Sequence, residues 1–373
     1  MRLRFLTSLG VLAVVTAVVS LLAVSVAGQA PSAAAKTAKA KSTAAAKTWT
    51  PPRTPWGDPD LQGIYNNATS TPLQRPSKFG EKDVLSDEEA EALQEQLTEA
   101  IDAAPRPEYP TGNYNDFWFD PRRREVRDKR TSLIVDPPDG RIPPLVPLSP
   151  EREKARAAAF EANRRFLDGK PSVWTEADNA LRCISRTDRP PYMPFAYNSN
   201  FQIFQGPGYV AIATEMIHST RMIPLDGRPH LGQNIKNWLG DTRAHWEGNT
   251  LVLESTNFRN EAVYGYAAAG YSTNASATVA QTPVAANPAT YRLTERFTRV
   301  AENMIQYEFT ISDPQTWTRP WTAMIPWNRI DEKSHQVYEY ACHEDNYDAV
   351  HLLLGGRIRE KAEQAPVKKS SEP

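Results

Sequence analysis

Two glutamates occupy positions where the alternation of a β-strand would place apolar side chains. Glu295 alternates with the apolar residues of 291–297, and Glu215 alternates with those of 211–217. A carboxylate on an apolar face is costly to bury unless it is paired or protonated, and desolvation raises its pKa toward the range of a general acid or base. His343 lies on one face of another predicted strand. Glu215, Glu295 and His343 are therefore the candidate catalytic residues.

The same three residues have a structural interpretation, which the sequence leaves open. Either glutamate could form a buried ion pair with Arg221 or Arg243 that holds the sheet together. In an enzyme these arginines would instead bind an anionic group of the substrate. His343 could equally be a hydrogen-bonded histidine of the core.

One short motif has the spacing of a metal site. Glu215-Met-Ile-His218 matches Glu-x-x-His, which can ligate iron from one face of a helix. Here the surrounding pattern predicts a strand, in which positions i and i+3 point to opposite faces, so we interpret the match as accidental. The sequence has no His-x-His, His-Glu-x-x-His or Cys-x-x-Cys motif, no dinucleotide-binding motif and no phosphate-binding loop. Neither a metal nor a cofactor is predicted.

The elements that position these residues are predicted from the period of the apolar residues. From about Phe201 this period is two, and tight-turn sequences such as Glu247-Gly-Asn249 separate the segments. The pattern predicts a mainly β fold, an antiparallel meander that closes into a barrel or a sandwich, with a lipocalin-like barrel among the possibilities. The predicted strands are 201–205, 209–217, 221–225, 243–246, 250–255, 291–300, 304–312, 318–325 and 336–343.

The first half of the chain is rich in proline. Residues 51–200 are predicted to wrap around the β domain of 201–356 without forming a core of their own. A capping box begins a helix over 86–103, and a Ser-Pro start begins a second helix over 149–167. A short strand is expected at 131–135, and the stretch before the first helix is expected to be irregular.

Two further segments are predicted beyond these elements. A C-terminal helix over 346–354 is expected to stop at Gly355-Gly356 and to be followed by a polar tail, 357–373. Residues 260–290 are too many for a hairpin loop and are rich in Ala, Tyr, Asn, Ser and Thr. They form either an insertion or a functional lid.

The N-terminus predicts export. Residues 1–30 combine a charged start, an apolar run and Gly28-Gln29-Ala30, which is the layout of a signal peptide, although the run is long enough to be a membrane anchor. Residues 31–50 form a flexible Ala/Lys tether. The net charge is -1, but every charged residue before Asp58 is basic, so the rest of the chain is acidic. Nucleic acid is therefore not expected as a partner. We predict a periplasmic or secreted protein that meets a membrane only through an uncleaved leader, with no oligomeric state indicated.

The chain has two cysteines, Cys183 and Cys342. In an oxidising compartment this pair predicts a structural disulfide, and the alternative is a thiol site or a pair of metal ligands.

Several motifs resemble those of an uncharacterised family of exported bacterial proteins. They are PWGDPDLQG at 55–63, TSLIVDPPDGRIP at 131–143, IPLDGRPH at 223–230, WLGD at 238–241 and YEYACHExNY at 338–347. The resemblance covers most of 51–356 and implies no particular activity. It implies that the common pattern includes Glu215, His218, Arg221, Asp241, Arg243, Cys342, His343, Glu344 and Asn346. The candidate ligand-binding residues are therefore His218, Arg221, Asp241, Arg243, Glu344 and Asn346. Residues 260–290 look longer than the family pattern, which favours an insertion.

Three functions fit these features. The first is a β-barrel enzyme that handles a small molecule, a sugar or an apolar metabolite, by carboxylate and histidine acid–base chemistry, as a hydrolase, lyase or isomerase. The second is a ligand-binding barrel without catalysis. The third is an interaction module of the cell envelope that uses the proline-rich half as a docking surface. Because a fold does not determine a function, the sequence leaves all three open.

Overall fold

The structure is a computed structural model that describes a defined part of the chain. The described residues are 49–103, 120–121, 125–126, 128–167, 173–176, 179–195, 197–259, 286–333, 335–344 and 346–364. The predicted signal peptide, nearly all of the tether, most of the predicted insertion and the end of the polar tail lie outside them. Among the described residues, no helix has the length and apolar character needed to span a bilayer.

The chain folds into one large antiparallel sheet with few helices. Within the described residues the strands are β1 (Gly63–Asn66), β2 (Ile134–Asp136), β3 (Asn200–Gly206), β4 (Tyr209–Thr214), β5 (Thr220–Pro224), β6 (Asp241–Glu247), β7 (Thr250–Thr256), β8 (Arg292–Ala301), β9 (Met304–Ser312) and β10 (Trp321–Arg329). The helices are α1 (Asp87–Ala103), α2 (Pro150–Leu167) and α3 (Asp348–Gln364). The mainly β prediction is confirmed.

The sheet curls into a nearly closed barrel. Its strand order is β5-β4-β3-β1-β10-β9-β8-β7-β6, and β2 pairs with β10 beside this path. The end strands β5 and β6 approach each other with Cα atoms within 8 Å. Because every neighbouring pair is antiparallel, β5 and β6 run in the same direction, and the connection 225–240 must return from the end of β5 to the end of the barrel where β6 begins. In the described part of the chain, a gap without a backbone ladder separates β5 from β6. We call this gap the seam.

The core fills the barrel with aromatic rings. Phe201 and Trp327 stack with ring centroids 4.4 Å apart, and Tyr192 meets Phe201 edge to face at 5.1 Å. On β8 and β9 the buried residues alternate as predicted, with Leu293, Glu295 and Phe297 facing inward. The largest fully buried aromatic residues are Trp317, Trp321, Trp327, Tyr65, Tyr192, Tyr307, Phe258, Phe297 and Phe309.

The first half of the chain contributes a strand to the barrel wall. Residues 63–66 belong to the stretch predicted to be irregular, yet they form β1, which lies between β3 and β10 and pairs with both. Its four residues are too few for a periodic signal, and all of them are buried. Tyr65 and Tyr192, both from the first half, are part of the core. The proline-rich half is therefore needed to complete the barrel.

The strand predicted over 336–343 is wrong. Residues 335–344 have no regular secondary structure and run over the outside of the barrel. The alternation of Val337, Glu339 and Ala341 resembles a strand, but the segment pairs with no neighbouring strand. Its place is fixed instead by a disulfide and by contacts to the turn after β4, described below.

The predicted helices are present. Ser86 Oγ accepts from the Glu89 backbone N–H at 3.2 Å, and Glu89 Oε2 accepts from the Ser86 N–H at 2.8 Å, which is the predicted capping box. The C-terminal helix, in contrast, continues through Gly355 and Gly356 to Gln364. The charged and alanine residues that follow have high helix propensity, which offsets a cost of about 1 kcal/mol for each glycine.

Candidate functional site

Glu295 lies inside the barrel, where it forms a bidentate ion pair with Arg221. The guanidinium donates from Nη1 to Oε1 at 3.1 Å and from Nη2 to Oε2 at 2.7 Å. The side chain of Glu295 is 0% exposed and that of Arg221 is 4% exposed. Although burial by itself lowers the pKa of Arg221, attraction to Glu295 raises it above its ordinary value. This geometry fits a structural ion pair.

The partners of this pair extend across the seam. Arg221 is on β5, and its Nη2 also donates to Thr242 Oγ1 on β6 at 3.0 Å and to Ser255 Oγ on β7 at 3.2 Å. Tyr307 on β9 donates its hydroxyl hydrogen to Glu295 Oε1 at 2.8 Å. Burial, with the nearby Glu295 charge, raises the Tyr307 pKa well above its ordinary value. These side chains join β5 to β6, where the described strands share no backbone ladder.

Asp241 and Arg243 hold the loop 225–240, which connects β5 to β6. Asp241 Oδ1 accepts from Arg243 Nη1 at 2.7 Å, and its Oδ2 accepts from the Leu231 backbone N–H at 2.8 Å and contacts His230 Nδ1 at 2.9 Å. Arg243 Nε donates to the Pro229 carbonyl at 3.0 Å. The contacts of both residues anchor the loop.

Glu215 lies just beyond the end of β4, in a turn with unusual backbone angles. The strand stops at Thr214, and Met216–His218 form one turn of 3-10 helix. Ile217 has φ 63° and His218 has φ 47°, and a β-branched residue rarely adopts the left-handed region. Such conformations cost about 1–3 kcal/mol and cluster at functional sites. Val210, Ile212 and Thr214 are the buried residues of β4, so Glu215 follows Ala211 and Ala213 on the opposite, outer face and does not face the barrel interior.

Glu215 is buried against a polar row on the outer wall. Asn200 Nδ2 donates both to Glu215 Oε2 and to His335 Nε2, the latter at 3.1 Å. Asn66 Nδ2 donates to Asn200 Oδ1 at 2.8 Å and to Asp120 Oδ2 at 2.5 Å. Glu215 is 4% exposed. Burial raises its pKa, and the hydrogen bond from Asn200 and the nearby His335 oppose this increase.

Strand alternation explains why this cluster lies outside the barrel. Phe201 and Ile203 point into the core, so Asn200, Gln202 and Phe204 share the outer face of β3. Asn66 is the cross-strand partner of Asn200 and lies on the same face. His335 comes from the segment after β10 and covers this row. We call Glu215, Asn200 and His335 the outer-wall triad.

The segment 335–344 is tied to the turn that carries Glu215. His218 Nδ1 lies 2.7 Å from the Tyr340 carbonyl oxygen. Tyr340 and Cys342 pack against a small cluster that contains Met216 and Ile217. Cys183 and Cys342 form the predicted disulfide, with Cα atoms 5.6 Å apart and an S–S distance of 2.11 Å. These contacts fix the segment that supplies His335.

The remaining predicted residues are not brought together at this site. His343 and Glu344 are exposed and lie on no strand, so the expectation that His343 faces inward is wrong. Asn346 Nδ2 donates to the Leu181 carbonyl at 2.9 Å and lies 3.1 Å from Cys183 Sγ, which places it beside the disulfide. The three predicted catalytic residues thus occupy the barrel interior, the outer wall and the exposed surface.

The sequence did not identify Asn200 and His335 as site residues. Asn200 precedes the first apolar residue of β3, and in the sequence it reads as part of a polar turn, Asn198-Ser-Asn200. His335 follows β10 in a stretch without regular structure. The available signal was the spacing of Asn200, Gln202 and Phe204, which places two amides and one ring on a single strand face.

A cavity of about 360 Å³ lies farther along the same outer wall. Gln202, which follows Asn200 on the same face, is one of its lining residues. Alternate residues on one face of a strand are roughly 7 Å apart, so the cavity is near the outer-wall triad. Its lining residues are Asp60, Gln62, Gly63, Gln202, Ile203, Phe204, Arg329 and Glu332.

Glu215 and His218, the two polar residues of the Glu-x-x-His motif, have different partners. Glu215 is hydrogen-bonded to Asn200, whereas His218 contacts Tyr340, so the Glu-x-x-His pair does not converge. Among the described residues, no group of three His, Cys, Asp or Glu side chains is arranged to hold a metal ion.

Comparisons with models of known families, with curated proteins and with solved structures found no match.

Proposed function

We propose that this protein is an exported acid–base enzyme whose catalytic groups are Glu215 and His335. The proposal depends mainly on one observation. A buried carboxyl group with a raised pKa shares one amide, that of Asn200, with a half-buried imidazole. Two titratable groups positioned side by side, one of them with a shifted pKa, are suited to general acid–base catalysis.

The hydrogen bonds suggest a role for each residue. Asn200 Nδ2 donates to His335 Nε2, so the neutral imidazole carries its proton on Nδ1. That N–H makes no hydrogen bond to the described residues, so it can donate to a substrate. The carboxyl group of Glu215 stores or releases a proton in a desolvated environment. Asn200 is a positioning residue, because it orients both groups and Asn66 in turn holds its oxygen.

The cavity beside Gln202 supports a small molecule as the substrate. Its volume of about 360 Å³ is near the lower end of the range for small-molecule sites. The reaction class that fits a carboxyl–imidazole pair is hydrolysis, elimination or isomerisation. A ligand-binding protein without catalysis is the alternative that the cavity also favours.

Export is part of the proposal. The Cys183–Cys342 disulfide is compatible with an extracytoplasmic location, because such bonds persist in oxidising compartments. The signal-like layout of residues 1–30 gives the same indication.

The function can be tested by untargeted mass spectrometry of turnover. The full-length protein would be incubated with a small-molecule extract of the cell envelope, beside Glu215→Gln and His335→Ala. The matched control is Glu254→Gln, which changes an exposed glutamate on β7. We expect a substrate that wild type and the control consume and that Glu215→Gln consumes about 100-fold more slowly. Equal turnover by Glu215→Gln would exclude the proposed role, and retention of a ligand without turnover would favour the binding alternative.

A further inference from the structure

The cavity on the outer wall has a chemistry of its own. It is formed by the residues before β1, by the outer face of β3 and by the end of β10. Its polar groups belong to one arginine, two carboxylates and two amides, and an exposed aromatic ring lies at its side. None of these side chains belongs to the outer-wall triad.

Arg329 provides hydrogen-bond donors at this cavity. Its Nη2 contacts Glu332 Oε1 at 3.3 Å, and its Nε and Nη1 make no hydrogen bond to the described residues. The guanidinium lies against Gly63, where a Cβ atom would come within 2.9 Å of Nε. Glycine at position 63 therefore leaves room for the guanidinium to approach the backbone at the cavity.

The other polar groups provide acceptors and a further donor. Asp60 Oδ1 accepts from the backbone N–H of Gln62 at 2.9 Å, and its Oδ2 makes no hydrogen bond to the described residues. Glu332 presents a second carboxylate, half exposed. The side-chain amide of Gln202 makes no hydrogen bond to the described part of the chain and can both donate and accept.

Phe204 provides an apolar surface next to these groups. Its ring is 47% exposed, and it follows Gln202 on the same face of β3. A phenyl ring against planar amide and carboxylate groups suits a ligand that has one apolar face and a rim of hydroxyl groups.

We propose that this cavity binds a neutral sugar of one or two rings, which would be the substrate class of the proposed enzyme. Each sugar hydroxyl can donate to Asp60 or Glu332 and accept from Arg329 or Gln202. An anionic ligand would be repelled by the two carboxylates, which outnumber the single guanidinium. The identification of the sugar as substrate rests on the proposed function, whereas its binding to the cavity does not.

Saturation-transfer difference NMR with the full-length protein tests this proposal, because the method detects weak binding. The probes are D-glucose, D-galactose, N-acetylglucosamine and cellobiose, with D-glucuronate and glycine as charged comparators. We expect at least one neutral sugar to bind more tightly than both comparators. Arg329→Met and Phe204→Ala should each weaken that binding about tenfold, because a charged hydrogen bond or the apolar contact is lost.

Matched variants control for general effects on the fold. Arg319→Met changes an arginine in an exposed ion pair with Asp136, and Tyr209→Ala changes an exposed ring that does not line the cavity. Both should bind the sugar as wild type does. The proposal would be overturned if none of the four sugars bound, if glucuronate or glycine bound more tightly, or if the cavity variants bound like the controls. Sugar binding together with an ordinary pKa for Glu215 would refute the acid–base function and leave this site standing.

Discussion

The partners of two buried glutamates distinguish a structural carboxylate from a candidate catalytic one. Glu295 accepts two hydrogen bonds from Arg221 and one from the Tyr307 hydroxyl, so both of its oxygens are hydrogen-bonded inside a packed barrel. Glu215 accepts a hydrogen bond from the amide of Asn200, which also bonds to His335, and burial raises the pKa of Glu215. Strand alternation predicts burial for both glutamates but does not identify the residues that they contact, so the sequence could not separate their roles.

The Arg221–Glu295 pair should be needed for stability. Glu295→Gln leaves the Arg221 charge buried without its counter-ion, and we expect the free energy of unfolding to fall by about 3–5 kcal/mol. Urea unfolding followed by fluorescence measures this change. Glu247→Gln, which alters an exposed pair with Arg296, is the control and should cause little change. Loss of turnover with unchanged stability in Glu295→Gln would place Glu295 in the active site instead.

Glu215 should make stability depend on pH in a defined direction. Its pKa is raised by burial above the value of 4.5, so the folded protein binds this proton more tightly than the unfolded chain does. The resulting stabilisation is complete below about pH 4.5 and is lost as pH rises through the raised pKa. Glu215→Gln lacks this loss, so the stability of this variant relative to wild type should increase with pH across that range.

Thermal unfolding at a series of pH values checks this prediction. The exposed-site variant Glu254→Gln should follow wild type at every pH. If the difference between Glu215→Gln and wild type were independent of pH, or shrank as pH rose, the raised pKa would be wrong.

At the scale of elements, the seam is the distinctive feature of the sheet. Because β5 and β6 run parallel at the two ends of an antiparallel meander, the barrel is joined there by side chains and by the loop 225–240. Asp241 is the anchor of that loop, through Arg243 and the Leu231 backbone. Asn257 Nδ2 also holds this loop, through the Leu231 and Gly232 carbonyls.

Asp241→Ala should release the loop. We expect trypsin to cut after Lys236 about tenfold faster than in wild type, because the lost hydrogen bonds involve a charged group. Limited proteolysis followed by mass spectrometry measures the rate. Asp226→Asn changes an exposed carboxylate that contacts Arg228 and is the control. An unchanged cleavage rate in Asp241→Ala would mean that other contacts hold the loop.

Most elements were predictable because their signals are local. The capping box of α1, the Ser-Pro start of α2 and the alternation of β8 and β9 all depend on neighbouring residues. β1 was missed because four buried residues carry no period, and its place is decided by pairing with distant β3 and β10. The strand wrongly predicted at 336–343 is the opposite case, because the local alternation is present but there is no neighbouring strand to pair with.

At the scale of the whole molecule, the outer-wall triad depends on contacts that no local pattern encodes. His335 reaches Asn200 only because the segment after β10 folds back over β3 and is tied down by Cys342. Candidate site residues chosen from one strand at a time could therefore include Glu215 and still omit both of its partners. The barrel was predictable, whereas the site required knowledge of how distant segments cross its outer wall.

The disulfide should stabilise the molecule and hold the triad together. It joins residues separated by 159 positions, for which the chain-entropy model gives up to about 5 kcal/mol. Cys183→Ser combined with Cys342→Ser should lower the free energy of unfolding by several kcal/mol, measured by urea unfolding. Treatment of wild type with a reductant should reproduce the loss, and equal stability of the oxidised and reduced forms would contradict it.

We propose that Glu215, placed on the outer wall beside His335, is the group adapted for proton transfer. A ¹³C NMR titration of its carboxyl carbon, assigned by the signal that Glu215→Gln removes, tests this claim without a known substrate. We predict a pKa above 4.5 that rises further in His335→Ala, because the positive charge of His335, when it is protonated, opposes the effect of burial. A pKa at or below 4.5 that is insensitive to His335→Ala would contradict the account.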